Sequence, residues 1–190
     1  MNATNPTLVI IGAVVLLIIV VLIGTAMARQ RRSKRLQERF GPEYDKTIDE
    51  IGNKRQAEKE LEERIAHVNA LNIRPLTAEE VNRYSLEWQK IQREFVDEPL
   101  ASLQKADRII REVMKEKGYP VEDFEQRVAD ISVDYPELVT DYRGMHMIAI
   151  KEKDKVTTED MRQAMLHARA LFENLIKQTS DEEVNQKEKI

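Results

Sequence analysis

The sequence predicts an all-α protein, with one N-terminal transmembrane helix followed by a linker helix and a small helical bundle. Three observations carry that prediction. Residues 7–28 (TLVIIGAVVLLIIVVLIGTAMA) contain no charged side chain. Beyond them, apolar residues recur at three- and four-residue spacings, the period of a helix with one buried face. Charged residues make up 34% of the chain and aromatics 5%, with only six Gly and six Pro. That balance lacks the aromatic and β-branched runs between turn residues that strands require.

The first element is the apolar one. Its 22 uncharged residues, at 1.5 Å per residue, reach across a hydrocarbon core of roughly 30 Å. A secretory signal has a basic start and an apolar core of about 7–15 residues. Here MNATNPT has no basic side chain, and the apolar run from Leu8 to Ile23 is 16 long. Ala26 and Ala28 form the small-x-small pattern of a cleavage site, so a processed chain stays open as an alternative. The basic residues Arg29, Arg31, Arg32, Lys34 and Arg35 follow directly. Cations close to a span are retained on the cytoplasmic side, and they suit anionic headgroups. The expected organisation is a short extracytoplasmic N-terminus at 1–6, a span at 7–28, and a basic juxtamembrane segment with linker helices at 29–70. A bundle at 71–178 and a disordered tail at 179–190 complete it.

Gly41 and Pro42 interrupt the first helix, and EYDKTIDEI ends at Gly52 and Asn53. Residues 54–70 make a narrow seam of Ala57, Leu61, Ile65 and Val68, which reads as a solvated spacer, with a weak coiled coil as the other option. After Pro75 the bundle begins. Thr77 and Glu80 have capping-box spacing, and Val81, Tyr84, Trp88, Ile91 and Phe95 lie on one face. Pro99 opens the next helix, which presents Leu103, Ala106, Ile110 and Val113 before Gly118 ends it. Pro120 and Pro136 each fit a helix start, giving a short helix with Phe124, Val128 and Ile131 and a longer one to about Lys151. Thr157 and Asp160 open the last helix, whose stripe is Met161, Met165, Ala168, Phe172 and Leu175. The final SDEEVNQKEKI has no apolar period and is expected to fray.

The strings RFGPEYD, DFEQRVADISVDYP and TTEDMRQAM, within a stretch from about Arg39 to Phe172, carry a resemblance. The chain resembles a family of uncharacterised bacterial proteins described as single-pass membrane or secreted. The resemblance implies a bacterial source and carries no activity onto any residue.

Chemistry is sparse. With no cysteine, disulfides, thiolate metal sites and cysteine nucleophiles are excluded. His67, His146 and His167 form no metal-ligand spacing, and packing or surface roles are expected of them. No phosphate-binding glycine loop or nucleophile elbow is present. Six of the 30 basic residues and one of the 34 acidic ones lie in residues 29–39, which leaves 24 against 33, about −9, beyond them. A surface of that sign repels phosphate backbones, so nucleic acid is not an expected partner. No catalytic, cofactor-binding or metal residue is assigned.

Tyr119, Phe124, Tyr135 and Tyr142 concentrate four of ten aromatics in 24 residues. Tyrosine offers apolar area with a polar tip, so this strip is the candidate partner surface, against the alternative that the rings seal a joint between short helices. The function expected is that of an adaptor or protein-interaction module at the cytoplasmic face of a bacterial inner membrane. Its partners would be membrane lipids, through the anchor and basic segment, and an unidentified protein. An enzyme with a carboxylate and His146 or His167 is one alternative, and a cleaved envelope protein is another.

Overall fold

A computed structural model describes residues 6–187, with side chains described for 16–152 and 154–177. Among the described residues the protein is all-helical and has no strand. The helices are α1 (Pro6–Phe40), α2 (Pro42–Ile51), α3 (Lys54–Ala70), α4 (Ala78–Glu94), α5 (Pro99–Lys117), α6 (Phe124–Asp134), α7 (Val139–Ala149) and α8 (Thr158–Lys187). Short 3-10 turns lie at Pro136–Leu138 and Lys153–Lys155. The chain divides into two compact units, Met1–Glu58 and Lys59–Ile190, with the boundary inside α3. The expected extracytoplasmic segment 1–6 lies outside the described residues, apart from the helical start at Pro6.

In the first unit, α1 runs unbroken until Gly41, whose N–H donates to Gln37 O at 2.9 Å, and Pro42 then starts α2 at a tolerated position. Gly52 ends α2 in the left-handed conformation, φ 69°, with its N–H on Ile48 O. Asn53 Oδ1 accepts the N–H groups of Arg55 and Gln56 at 3.0 and 3.1 Å and so caps α3. Leu36, Phe40, Tyr44 and Ala57 are buried in this unit, together with Glu43 and Thr47.

Among the described residues no helix is long and apolar enough to cross a membrane. The expected span 7–28 falls partly outside them, because the side chains of residues 7–15 are not among those described.

The second unit is a bundle centred on α5, which packs against α4, α7 and α8. The Thr77 and Glu80 box forms as the spacing predicts: Thr77 Oγ1 accepts Glu80 N–H at 3.2 Å, and Glu80 Oε2 accepts Thr77 N–H at 2.7 Å. Thr157 and Asp160 do the same at the head of α8. The expected stripes of α5 and α8 are buried in full, and Tyr84, Trp88 and Ile91 of α4 are buried with Val81 and Phe95 half covered. Gly118 ends α5 at φ 100°, and a Cβ there would stand 2.6 Å from Asn72 O, so both conformation and space demand glycine.

Four expectations are corrected. Ala57, Leu61 and Val68 of α3 are buried, so this helix is no solvated spacer. Helix α6 begins at Phe124 and not at Pro120, because Asp123 Oδ1 accepts Gln126 N–H at 2.8 Å and sets the start there. The helix expected from Pro136 to Lys151 is a 3-10 turn followed by α7, ending at Ala149. The helical trace of α8 continues to Lys187, past the residue 179 at which the tail was expected, although side chains from 178 onward lie outside the described residues.

Candidate functional site

The aromatic strip from Tyr119 to Tyr142 does not form an exposed patch. Tyr119, Tyr135 and Tyr142 are buried, and Phe124 is half-buried. The physical reason lies in the partners that satisfy two of the hydroxyls inside the protein. Tyr119 donates to Asp134 Oδ2 at 2.6 Å, and burial followed by that carboxylate pushes its hydroxyl far above the ordinary tyrosine range. Tyr142, fully buried, accepts the Nε–H of Arg127 at 3.0 Å, and burial raises its hydroxyl as well. Arg127, itself buried, also donates Nη1–H to Val121 O. Phe124 lies flat on His146, ring centroids 3.9 Å apart. Where a partner surface was expected, Arg127–Tyr142 and Phe124–His146 instead make a joint between α6 and α7.

Each histidine stands beside an aspartate. His146 Nδ1 is 3.0 Å from Asp107 Oδ1, His167 Nδ1 is 3.0 Å from Asp141 Oδ2, and His67 Nε2 is 3.6 Å from Asp130 Oδ1. The pairs bridge α5 to α7, α7 to α8 and α3 to α6, and spacing along the chain did not reveal them. Asp130 is fully buried, and burial raises its carboxyl above the ordinary value although Gln126 donates to it at 2.8 Å. Among the described residues no three metal-ligating side chains converge.

A cavity of about 310 Å³ lies between α4 and α8, over the stacked rings of Trp88 and Phe172. Ser85, Gln89, Arg169 and Glu173 form much of its rim.

A strongly basic concavity lies in the first unit, and the length of α2 explains it. Ten helical residues span about 15 Å. A return of that length from Phe40 brings the chain back to the level of residue 30, so α3 starts beside the basic segment of α1. There Arg29 and Arg32 of α1 meet Lys54 and Arg55 of α3 around an open cleft of about 520 Å³, with Gln30, Ser33 and Glu58 completing its wall. Glu58 Oε1 accepts from Ser33 Oγ at 2.5 Å and Tyr44 Oη at 2.9 Å, and lies 3.8 Å from Lys54 Nζ. Burial raises this carboxyl, but those hydrogen bonds and the charges of Lys54 and Arg32 outweigh it, and the net shift is downward. Glu58 thus remains a carboxylate that ties α1, α2 and α3 together.

Of the five expected headgroup and topology residues, the cleft gathers Arg29 and Arg32. Arg31, Lys34 and Arg35 do not line it, and Lys34 instead faces Glu38 at 3.6 Å on the exposed side of α1. Lys54 and Arg55 were missed. Their signal was the distance between two breaks, Gly41-Pro42 and Gly52-Asn53, read as a helix length.

The chain matches no protein-family model, no curated protein and no solved structure.

Proposed function

We propose that the chain is a single-pass bacterial membrane protein that holds its helical bundle at the cytoplasmic face and works there by binding another protein, not by catalysis. The observation that carries this reading is on α1. Leu16 through Ile23 are eight consecutive apolar side chains, each between 46% and 64% exposed. Successive residues of a helix point about 100° apart, so eight in a row cover every side of it, and a neighbour on one side leaves most of that surface in water. A lipid environment covers all of it. In the sequence the apolar run extends back to Leu8, and the basic cluster begins at Arg29, one residue after the uncharged stretch ends. That order, with the basic cluster directly after the run, supports a bundle on the cytoplasmic side. An interaction role is favoured by a bundle whose histidines and tyrosines are engaged in packing pairs.

Carbonate extraction of cell membranes tests the anchor. The native chain is expected to stay in the pellet, and a variant with Leu17→Lys and Val20→Lys to move to the supernatant. Release of the native chain would contradict the reading.

A further inference from the structure

We infer that the cleft formed by Arg29, Arg32, Lys54 and Arg55 is a binding site for a phosphate-bearing anion, and that its source is the headgroup of an anionic lipid. The chemical class follows from the cleft itself; the lipid source rests on the membrane reading proposed above.

Three observations carry the inference. The first is convergence: two pairs of cations, from segments separated by α2, line one concavity whose lining includes the carboxylate of Glu58. Like charges brought together repel, so a fold that gathers four gains from an anion placed among them. Glu58 supplies one negative charge against the four positive ones that line the cleft. The second is size, since about 520 Å³ falls in the range of small-molecule sites, roughly 300–1,000 Å³. Guanidinium groups present paired donors that match phosphate oxygens, and three of the four cations are arginines. The third is position. Arg29 is the first charged residue after the apolar stretch, so the cleft opens at the level where a bilayer places its phosphates. Arg55 and Lys54 lie 26 or more residues beyond Ala28 in sequence, too far to act as the orientation signal, and only the return through α2 brings them to that level. They therefore separate lipid recognition from anchoring.

The test uses the full chain in a neutral detergent, titrated with phosphatidylglycerol, with phosphatidylcholine and with soluble glycerol phosphate, bound ligand being read by native mass spectrometry. The native chain is expected to take phosphatidylglycerol at least ten-fold more tightly than phosphatidylcholine. Lys54→Gln with Arg55→Gln is expected to lose roughly ten-fold in that affinity. A control with the same charge loss, Lys46→Gln with Lys59→Gln, is expected to keep it, since those lysines pair with Glu50 and Glu63 away from the cleft. Equal losses in the two variants, or none in the first, would overturn the site. Pocket-dependent binding of glycerol phosphate without any preference for phosphatidylglycerol would uphold the anion chemistry and overturn the lipid source. A bundle found outside the cell, in a chain that still binds phosphatidylglycerol through Lys54 and Arg55, would overturn the orientation and leave the site standing.

Discussion

Trp88 and Phe172 stack with ring centroids 4.4 Å apart and planes inclined by 15°, joining α4 to α8 across the bundle. Both rings are nearly fully buried, and each belongs to an apolar stripe that the sequence marks. Truncating either ring removes a large buried area and leaves a cavity. Phe172→Ala is expected to lower stability by about 3–5 kcal/mol. Trp88 is the only tryptophan, so its fluorescence reports the stack directly. Denaturant unfolding of Phe172→Ala should show an earlier transition and a changed native emission; an unchanged midpoint would show that the stack contributes little.

Gly118 and Gly144 should respond to alanine with opposite sign. At Gly118 the backbone has φ 100° and the new Cβ would press on Asn72 O, so Gly118→Ala is expected to cost about 2–3 kcal/mol. Gly144 lies inside α7 with nothing within 4 Å of its Cβ position, so Gly144→Ala is expected to stabilise by about 0.5–1 kcal/mol. Thermal melting of the two variants side by side checks both.

Glu58 and Asp130 give the two units opposite responses to acid. The folded carboxyl of Glu58 lies below its ordinary 4.5, so its contribution is fully present above that pH and is lost as pH falls through the folded value. Asp130 is raised above 3.8 by burial, so its contribution is fully present below that pH and is lost as pH rises through the folded value. Glu58→Gln should therefore destabilise by about 1–3 kcal/mol at neutral pH, with the deficit shrinking in acid. Asp130→Asn should gain on the native chain as pH rises and lose that advantage in acid. Unfolding midpoints followed from about pH 3 to pH 8 distinguish the two slopes.

What was legible in the sequence was local. The Thr77–Glu80 and Thr157–Asp160 boxes need only a three-residue spacing, and the stripes of α4, α5 and α8 need only a helical period. What escaped depends on which helices meet. Tyr142 looks like a surface residue until Arg127 is found beside it, and Asp107 lies 39 residues from the His146 it pairs with. Lys117 is fully buried with its Nζ donating to Leu175 O at 3.2 Å, a position no pattern assigns to a lysine. The cleft belongs to the same class, because a charge run on one helix does not say which cations a later helix will bring to it. Its arithmetic was nonetheless present in the ten residues of α2.

The most direct test of the membrane reading uses the absence of cysteine. Val96, in the joint between α4 and α5, is 83% exposed, so Val96→Cys places a single reactive thiol on the bundle. Bacterial cells producing this variant are treated with a membrane-impermeant maleimide, intact and after permeabilisation. A bundle held at the cytoplasmic face predicts labelling only after permeabilisation, on a chain recovered in the membrane fraction. Labelling of intact cells would place the bundle outside and contradict the account.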